Sequence, residues 1–308
     1  MLNQPPLPAF AVVGAGAVGC YFGGMLARAG YPVTLIGRQT QMEAIATQGL
    51  LLDGLHIHER IRLAASTGIA AARAAQVVLF CVKTPDTESA AQALRPHLGP
   101  GSVVLSLQNG VDNVQRMYSA ARIEAIPAVV YVAAAMVAPG HVRHSGRGDL
   151  VVGSAGRAVA AMFEHAGVPC RISENIAADL WAKMVMNCAF NAISALGQAR
   201  YARMVRSPST RKLMEQVIVE TVSVARAEGV ELSEAAMIDA AFELGEAMAE
   251  ARSSTAQDIA RGKRTEIDSL NGYLAGRGVP VPVNETLHRL VKLLEESGRE
   301  ECRHASTP

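Results

Sequence analysis

In the first half of the chain the apolar residues fall in short runs between polar loops; in the second half they recur at helical spacing. The runs FAVV (10–13), PVTLIG (32–37), QVVLFCV (76–82) and SVVLSL (102–107) predict strands, with helical stretches between them. Runs that are apolar throughout, alternating with helices, predict a parallel sheet covered on both faces. LLLDGLHIHERIRL (50–63) reads as a hairpin turning at Asp53-Gly54. From about residue 175 the strand runs stop. Helical patterns then cover 176–196, 208–228, 233–251, about 253–274 and 284–297. Ser233 is a natural N-cap, and Gly229, Gly262, Gly276 and Gly298 fall where helices should stop or bend. The expected boundary lies near CRISEN (170–175), giving an α/β domain over 1–174 and an all-helical domain over 175–308.

Composition narrows the partners. Half of the 308 residues are apolar, and 29 Lys and Arg against 28 Asp and Glu leave a formal charge of +1. No positive field would gather nucleic acid or anionic lipid. The apolar run AIPAVVYVAAAMVAP (125–139) is shorter than a membrane span and is punctuated by Pro127 and Pro139. MLNQPPLPAF at the start lacks the basic and hydrophobic regions of a signal peptide. Cys20, Cys81, Cys170, Cys188 and Cys302 show no CxxC spacing and read as reduced thiols of a cytoplasmic protein. No ordered His and Cys set suggests a metal; His56, His58, His141 and His144 read as exposed strand and turn residues. The Ala, Met and Leu positions of the helical half suit a core, the commoner use, and are also compatible with a homodimer seam.

Gly14-Ala15-Gly16-Ala17-Val18-Gly19 is a GxGxxG that follows a strand run and opens a helix. That context makes the first half a Rossmann-type, doubly wound sheet. Gly14 permits the tight turn, Gly16 lets a pyrophosphate approach the backbone, and Gly19 allows close helix–strand packing. The second strand ends LIGRQT, where an NAD enzyme usually carries Asp or Glu for the ribose 2′-OH. Gly37 and Arg38 stand there instead, and a cation suits the 2′-phosphate of NADPH. A solvated arginine at a strand end is the plain alternative. Lys83 in VKTPDT and Asn109 in QNG follow later strands, at the edge where open sheets bind ligands. An Asn-Gly pair also serves as an ordinary turn.

LWAKMVMNCAFNAISAL (180–196) is an apolar helix with a polar stripe. Lys183, Asn187 and Asn191 recur every four residues, and each such step drifts by only about 40° around a helix. Buried without partners, these groups would cost several kcal/mol each. A snorkelling lysine, asparagines bonding between helices, or a polar dimer contact would each account for the stripe. So would a substrate. The later stretch SSTAQDIARGKRTEIDSLNGYL (253–274) offers Ser254, Asp258, Glu266 and Asn271, and a carboxylate there could oppose Lys183.

Taken together, GAGAVG, VKT (82–84), QNG (108–110), LWAKMVMNCAFNAISAL, the SS…QDI…TEIDSLNGYL segment and VPVNETL (281–287) resemble the ketopantoate reductase (2-dehydropantoate 2-reductase) family, in order and over nearly the whole chain. The resemblance implies NADPH-dependent reduction of ketopantoate to pantoate, a step toward pantothenate and coenzyme A. It casts Lys183 as general acid, Asn187 and Asn191 as substrate-binding amides and Ser254 as a contact to the substrate carboxylate. It places Glu266 beside lysine, cofactor and substrate, Asn109 at the nicotinamide end and Lys83 near the cofactor phosphates. The chemistry is coherent. Negative charge grows on the ketone oxygen during reduction, and a positioned ammonium stabilises it and donates a proton. A free lysine titrates at about 10.4; burial lowers that value, and a neighbouring carboxylate opposes the shift.

One stretch departs from the family. GQARYAR (197–203) puts Gln198, Arg200 and Tyr201 where relatives commonly offer a small polar contact, often asparagine. A changed hydrogen-bonding site alters substrate choice strongly. Reduction of another 2-oxo or β-hydroxy acid on the same scaffold is therefore the nearest rival. A nonenzymatic NADPH sensor is a second; it would have no need of Lys183, both asparagines and Glu266 together.

Overall fold

All four residues of the first strand, β1 (Phe10–Val13), are buried, because both of its faces meet apolar layers. Phe10 and Val12 enter one core with Phe22, Leu26 and Phe163; Ala11 and Val13 enter another with Leu94 and Met117. The computed structural model describes residues 7–305, with side chains through residue 298. Residues 1–6, part of the segment read for a leader, and the Cys302 side chain lie outside that range. The chain divides into two units, Met1–Ile176 and Ala177–Pro308.

In the first unit β1 is followed by α1 (Ala17–Arg28), β2 (Val33–Ile36), α2 (Gln39–Gln48), β3 (Leu50–Asp53), β4 (His58–Ile61) and β5 (Ala64–Ser66). Then come β6 (Val77–Phe80), α3 (Thr87–Leu94), β7 (Val103–Ser106), α4 (Asn113–Ala121), β8 (Ala125–Ala138), β9 (His141–Gly153), α5 (Arg157–His165) and β10 (Cys170–Ser173). The sheet order is β4-β3-β9-β8-β7-β6-β1-β2-β5, with β10 on β9. β1 pairs in parallel with β2 on one side and β6 on the other. The strand order thus switches direction at β1, where open α/β sheets leave a crevice beyond their strand ends.

The parallel part matches the expected doubly wound sheet, but the sheet is mixed. The run 125–139, noted only as too short for a membrane, is the 14-residue strand β8. It pairs in parallel with β7 over Ala125–Pro127, then returns antiparallel as β9 after Gly140 at φ +73°. β9 was hidden because its first half, HVRHSGRGD, is polar. The β3–β4 hairpin is present, pairing Leu50 with Ile61 and Asp53 with His58, and Gly54 N–H donates to Ile57 O at 2.6 Å. Asp53 collects His141 (3.0 Å), Arg143 (2.9 Å) and His58 (3.2 Å), which together hold its carboxyl well below the usual range. His144 is stacked on Tyr21, with ring centroids 4.4 Å apart, rather than exposed. The cysteines Cys20, Cys81, Cys170 and Cys188 are free, and burial pushes the Cys20 thiol up to about 12.

The helical unit carries α6 (Ile176–Gly197) beyond its first residue, α7 (Tyr201–Arg206), α8 (Pro208–Ala227), α9 (Glu234–Ala247), α10 (Ser254–Ala260), α11 (Asn271–Leu274) and α12 (Pro282–Ala305). Among the described residues no helix is long and apolar enough to cross a membrane. Ser233 caps α9, its hydroxyl accepting the Ala236 N–H at 3.3 Å. The stretch 253–274 is broken into pieces, with Gly262 at φ +62° closing α10. Gly229 and Gly276 take positive φ beyond helix ends, but Gly298 lies inside α12 and ends nothing.

Pro282 at the first position of α12 brings no N–H, and the next donors are met by a carboxylate. Glu220 of α8 accepts the N–H of Val283 and of Asn284 (both 2.9 Å) and the Asn284 side chain (2.7 Å). Asn284 Oδ1 accepts Asn271 Nδ2 at 2.8 Å, and the same Nδ2 donates to Cys188 O at 3.2 Å. Asn271, a candidate polar position in the sequence, is thus a fully buried tie between α6, α11 and α12. Glu220→Ala is expected to lower stability by about 2–3 kcal/mol, and Glu220→Gln by less, read from urea unfolding midpoints.

Candidate active site

The glycine turn connects β1 to α1 at the switch in strand order. Gly14 has φ +103°, and a Cβ there would lie 2.6 Å from the Cys81 carbonyl carbon, so only glycine fits. At Gly19 a Cβ would lie 2.3 Å from Gly14 O and 2.8 Å from Val12 Cγ1, which fixes the close approach of α1 to β1. At Gly16 a Cβ would meet nothing within 4 Å. The three glycines therefore serve different ends: turn, packing and open space. Gly14 and Ala15 both donate their N–H to Ile36 O, at 3.0 and 3.1 Å. The N–H groups of Ala17, Val18 and Gly19 are those of the opening helical turn, which carries no acidic residue. Such a helix start is suited to a phosphate.

Gly37 closes β2 against this turn. A Cβ there would sit 2.8 Å from Ala15 Cβ, so the position usually given to an acid has no room for one. Arg38, exposed and at the N-cap of α2, is the first long side chain beyond the strand.

Beyond β6 and β7, two loops are tied by a polar network that the sequence reading passed over. Asn109 O accepts Thr84 Oγ1 at 3.1 Å and Asn113 Nδ2 at 2.7 Å. Gln108 Nε2 donates to Val82 O (3.1 Å) and Thr87 Oγ1 (2.7 Å); Thr87 in turn donates to Asn113 Oδ1 (3.1 Å). Thr84, Thr87, Gln108 and Asn113 are all buried. Their bonds run largely to backbone, which leaves the exposed Lys83 and half-buried Asn109 as the residues displayed at the loop surface. QNG and VKT therefore mark one object.

In the helical unit, Lys183, Asn187 and Asn191 lie on α6 as expected, the first two half-buried and Asn191 only 3% exposed. Beyond the helix ladder, Asn191 takes part in one hydrogen bond among the described residues, its carbonyl accepting Ser253 Oγ at 3.2 Å. Its carboxamide has no partner there. Ser254, the predicted contact, is exposed at the first position of α10. Its neighbour Ser253 is the buried one, capping α10 through Ala256 N–H (3.1 Å) and accepting no other role from sequence. Ser253 N–H also donates to Ser194 Oγ at 3.2 Å, fastening α10 to the stripe helix. Glu266 is half-buried at the start of a short 3-10 turn, Ile267–Ser269.

The departure at 198–201 resolves into separate roles. Gln198, at φ +44°, donates to Ala195 O at 2.9 Å and ends α6. Arg200 pairs with Glu250 at the surface. Tyr201 alone turns inward, its ring 4.2 Å from that of Phe190, and burial pushes its phenol up to about 12. Phe190 lies seven residues after Lys183 and so shares the face of the stripe.

Comparison with known proteins identifies the family. Residues 10–157 match the family model described as ketopantoate reductase PanE/ApbA, and residues 175–295 match its C-terminal counterpart. A 2-dehydropantoate 2-reductase of Halobacterium salinarum is 34% identical, covering 93% of this chain and 99% of the relative. The crystal structure of a PanE/ApbA family ketopantoate reductase from Ralstonia eutropha JMP134 is 48% identical, with a TM-score of 0.89 over 94% of this chain and 99% of that one. D-mandelate dehydrogenase, solved with NADH and anilino(oxo)acetate, shares the fold (TM-score 0.89) at 23% identity, covering 94% of this chain and 99% of that one. The chain is an NAD(P)-dependent oxidoreductase and belongs to the ketopantoate reductase family.

Proposed function

We propose that this protein reduces 2-dehydropantoate to pantoate with NADPH, in the cytoplasmic route to pantothenate and coenzyme A. The observation that carries the reading is the Lys183–Asn187–Asn191 stripe, whose last member, only 3% exposed, makes no side-chain hydrogen bond among the described residues. An amide so placed is suited to the oxygen atoms of a polar ligand. The glycine turn fits the dinucleotide, with open space at Gly16 and helix N–H groups for its pyrophosphate. Arg38 would hold the 2′-phosphate, and Lys83 and Asn109 would meet the phosphate and nicotinamide ends.

When bound, the nicotinamide supplies a hydride to C2 of the oxo acid. The chain's own residues do the rest. Asn187 and Asn191 orient the substrate through its hydroxyl and carboxylate oxygens, and Ser254 adds a contact to the carboxylate. Lys183 stabilises the charge that develops on the ketone oxygen and gives that oxygen its proton. Glu266 favours the protonated lysine until transfer. A second reading, reduction of a bulkier or more apolar 2-oxo acid, draws on Tyr201 packed with its ring tilted against Phe190, in the stretch where the family often offers a small polar contact.

Lys183→Ala should lower kcat by about 10²–10⁴-fold with ketopantoate and NADPH in steady-state assays; a near-parent kcat would remove the acid role. Two glycine variants should part company. Gly16→Ala should leave the unfolding midpoint nearly unchanged and weaken NADPH binding by titration, whereas Gly19→Ala should cost about 1–3 kcal/mol of stability. Arg38→Ala should raise the Kd for NADPH by roughly 10- to 100-fold and leave that for NADH nearly unchanged. A parent protein that binds NADH as tightly as NADPH would refute the Arg38 assignment.

A further inference from the structure

Glu266 projects from a segment with little secondary structure of its own. α10 has ended at Ala260, and only the 3-10 turn Ile267–Ser269 follows before α11. A side chain on such a segment is placed only as well as the backbone beneath it is held. Here the hold comes from α12, 30 residues further along the chain. Glu295, 6% exposed, accepts the Thr265 N–H at 2.7 Å, and its other carboxylate oxygen lies 3.2 Å from Lys292 Nζ. The Thr265 hydroxyl accepts the Ile267 N–H at 3.2 Å, and Glu266 O accepts the Ser269 N–H at 2.9 Å. Glu266 is therefore bracketed by fixed backbone on both sides.

The rest of the cluster closes around the same turn. Lys292 also reaches Asp268 at 3.0 Å, and Asp268 meets His288 at 2.8 Å and Arg264 at 3.5 Å. Burial pushes the Glu295 carboxyl up, and the hydrogen bonds from Thr265 and Lys292 outweigh it and hold it below its ordinary value. A carboxylate kept charged out of water is costly unless its oxygens are matched, and one of these oxygens is matched by a backbone donor directly before Glu266.

We propose that Glu295 is a positioning residue: by accepting the Thr265 N–H it fixes the backbone that aims Glu266. This role rests on the proposed reduction and on Glu266's part in it. Two full-chain variants separate it from a mere charge pair with Lys292. Glu295→Gln keeps the reach and an acceptor oxygen but loses the charge. Glu295→Asp keeps the charge and withdraws the carboxylate by ~1.5 Å, one carbon–carbon bond.

Positioning requires kcat to stay near the parent value in Glu295→Gln and to fall about 10- to 100-fold in Glu295→Asp, with the KM for NADPH unchanged. It also requires that Glu295→Asp cost nothing further when Glu266 is already alanine. The reverse ranking, or an equal loss with and without the Glu266 carboxylate, overturns the positioning role and leaves the reductase intact. A parent-like kcat in Glu266→Ala alone overturns it at the prior step, by removing Glu266 from the reaction. A parent protein that reduces no 2-oxo acid is instead a failure of the proposed function itself.

Discussion

The constraint on which the helical unit turns is that an apolar helix carries polar groups on one face. An unmatched buried amide costs about 1–3 kcal/mol, and folding retains such a group only where the surroundings or a function compensate. The neighbours of Asn191 are satisfied among themselves: Ser253 bonds its carbonyl, and Ser194 bonds Ser253 and Ala199. Among the described residues the Asn191 carboxamide makes no hydrogen bond of its own. Asn284 and the Nδ2 of Asn271 do have protein partners and act as ties between helices, while Asn271 Oδ1 is buried without one.

A common device places the displayed residues in both units. Buried side chains bond to backbone beside a residue that is less buried. Thr84 and Asn113 hold the Asn109 carbonyl, Ser253 caps the helix that starts with Ser254, and Glu295 holds the amide before Glu266. Each pairing joins a buried residue to a more exposed one. Gly14 and Gly19 do the equivalent without side chains, by permitting contacts that a Cβ would forbid.

Much of this was legible in the sequence. The strands at 10–13, 33–36, 77–80 and 103–106 stand out because strands buried on both faces are apolar at every position. The stripe on α6 follows from helical periodicity alone, and the three glycine roles follow from strand-turn-helix context. The β8–β9 hairpin was not visible, since its pattern depends on cross-strand pairing and β9 begins with polar residues. Ser253 and Ser254 cannot be told apart by type; only the cap geometry makes the first structural. Glu220 and Glu295 look like ordinary helix-surface acids, because their partners are backbone amides distant in sequence. Gly298 misled for the opposite reason: a helix at the surface tolerates a glycine at modest cost.

The central claim is that the stripe on α6 receives a 2-oxo acid and that its lysine completes the reduction. The most direct measurement is product analysis of NADPH oxidation by the purified protein supplied with ketopantoate. The account predicts one pantoate formed for each NADPH consumed. Tight NADPH binding with no pantoate, and no turnover across a panel of 2-oxo acids, would contradict it.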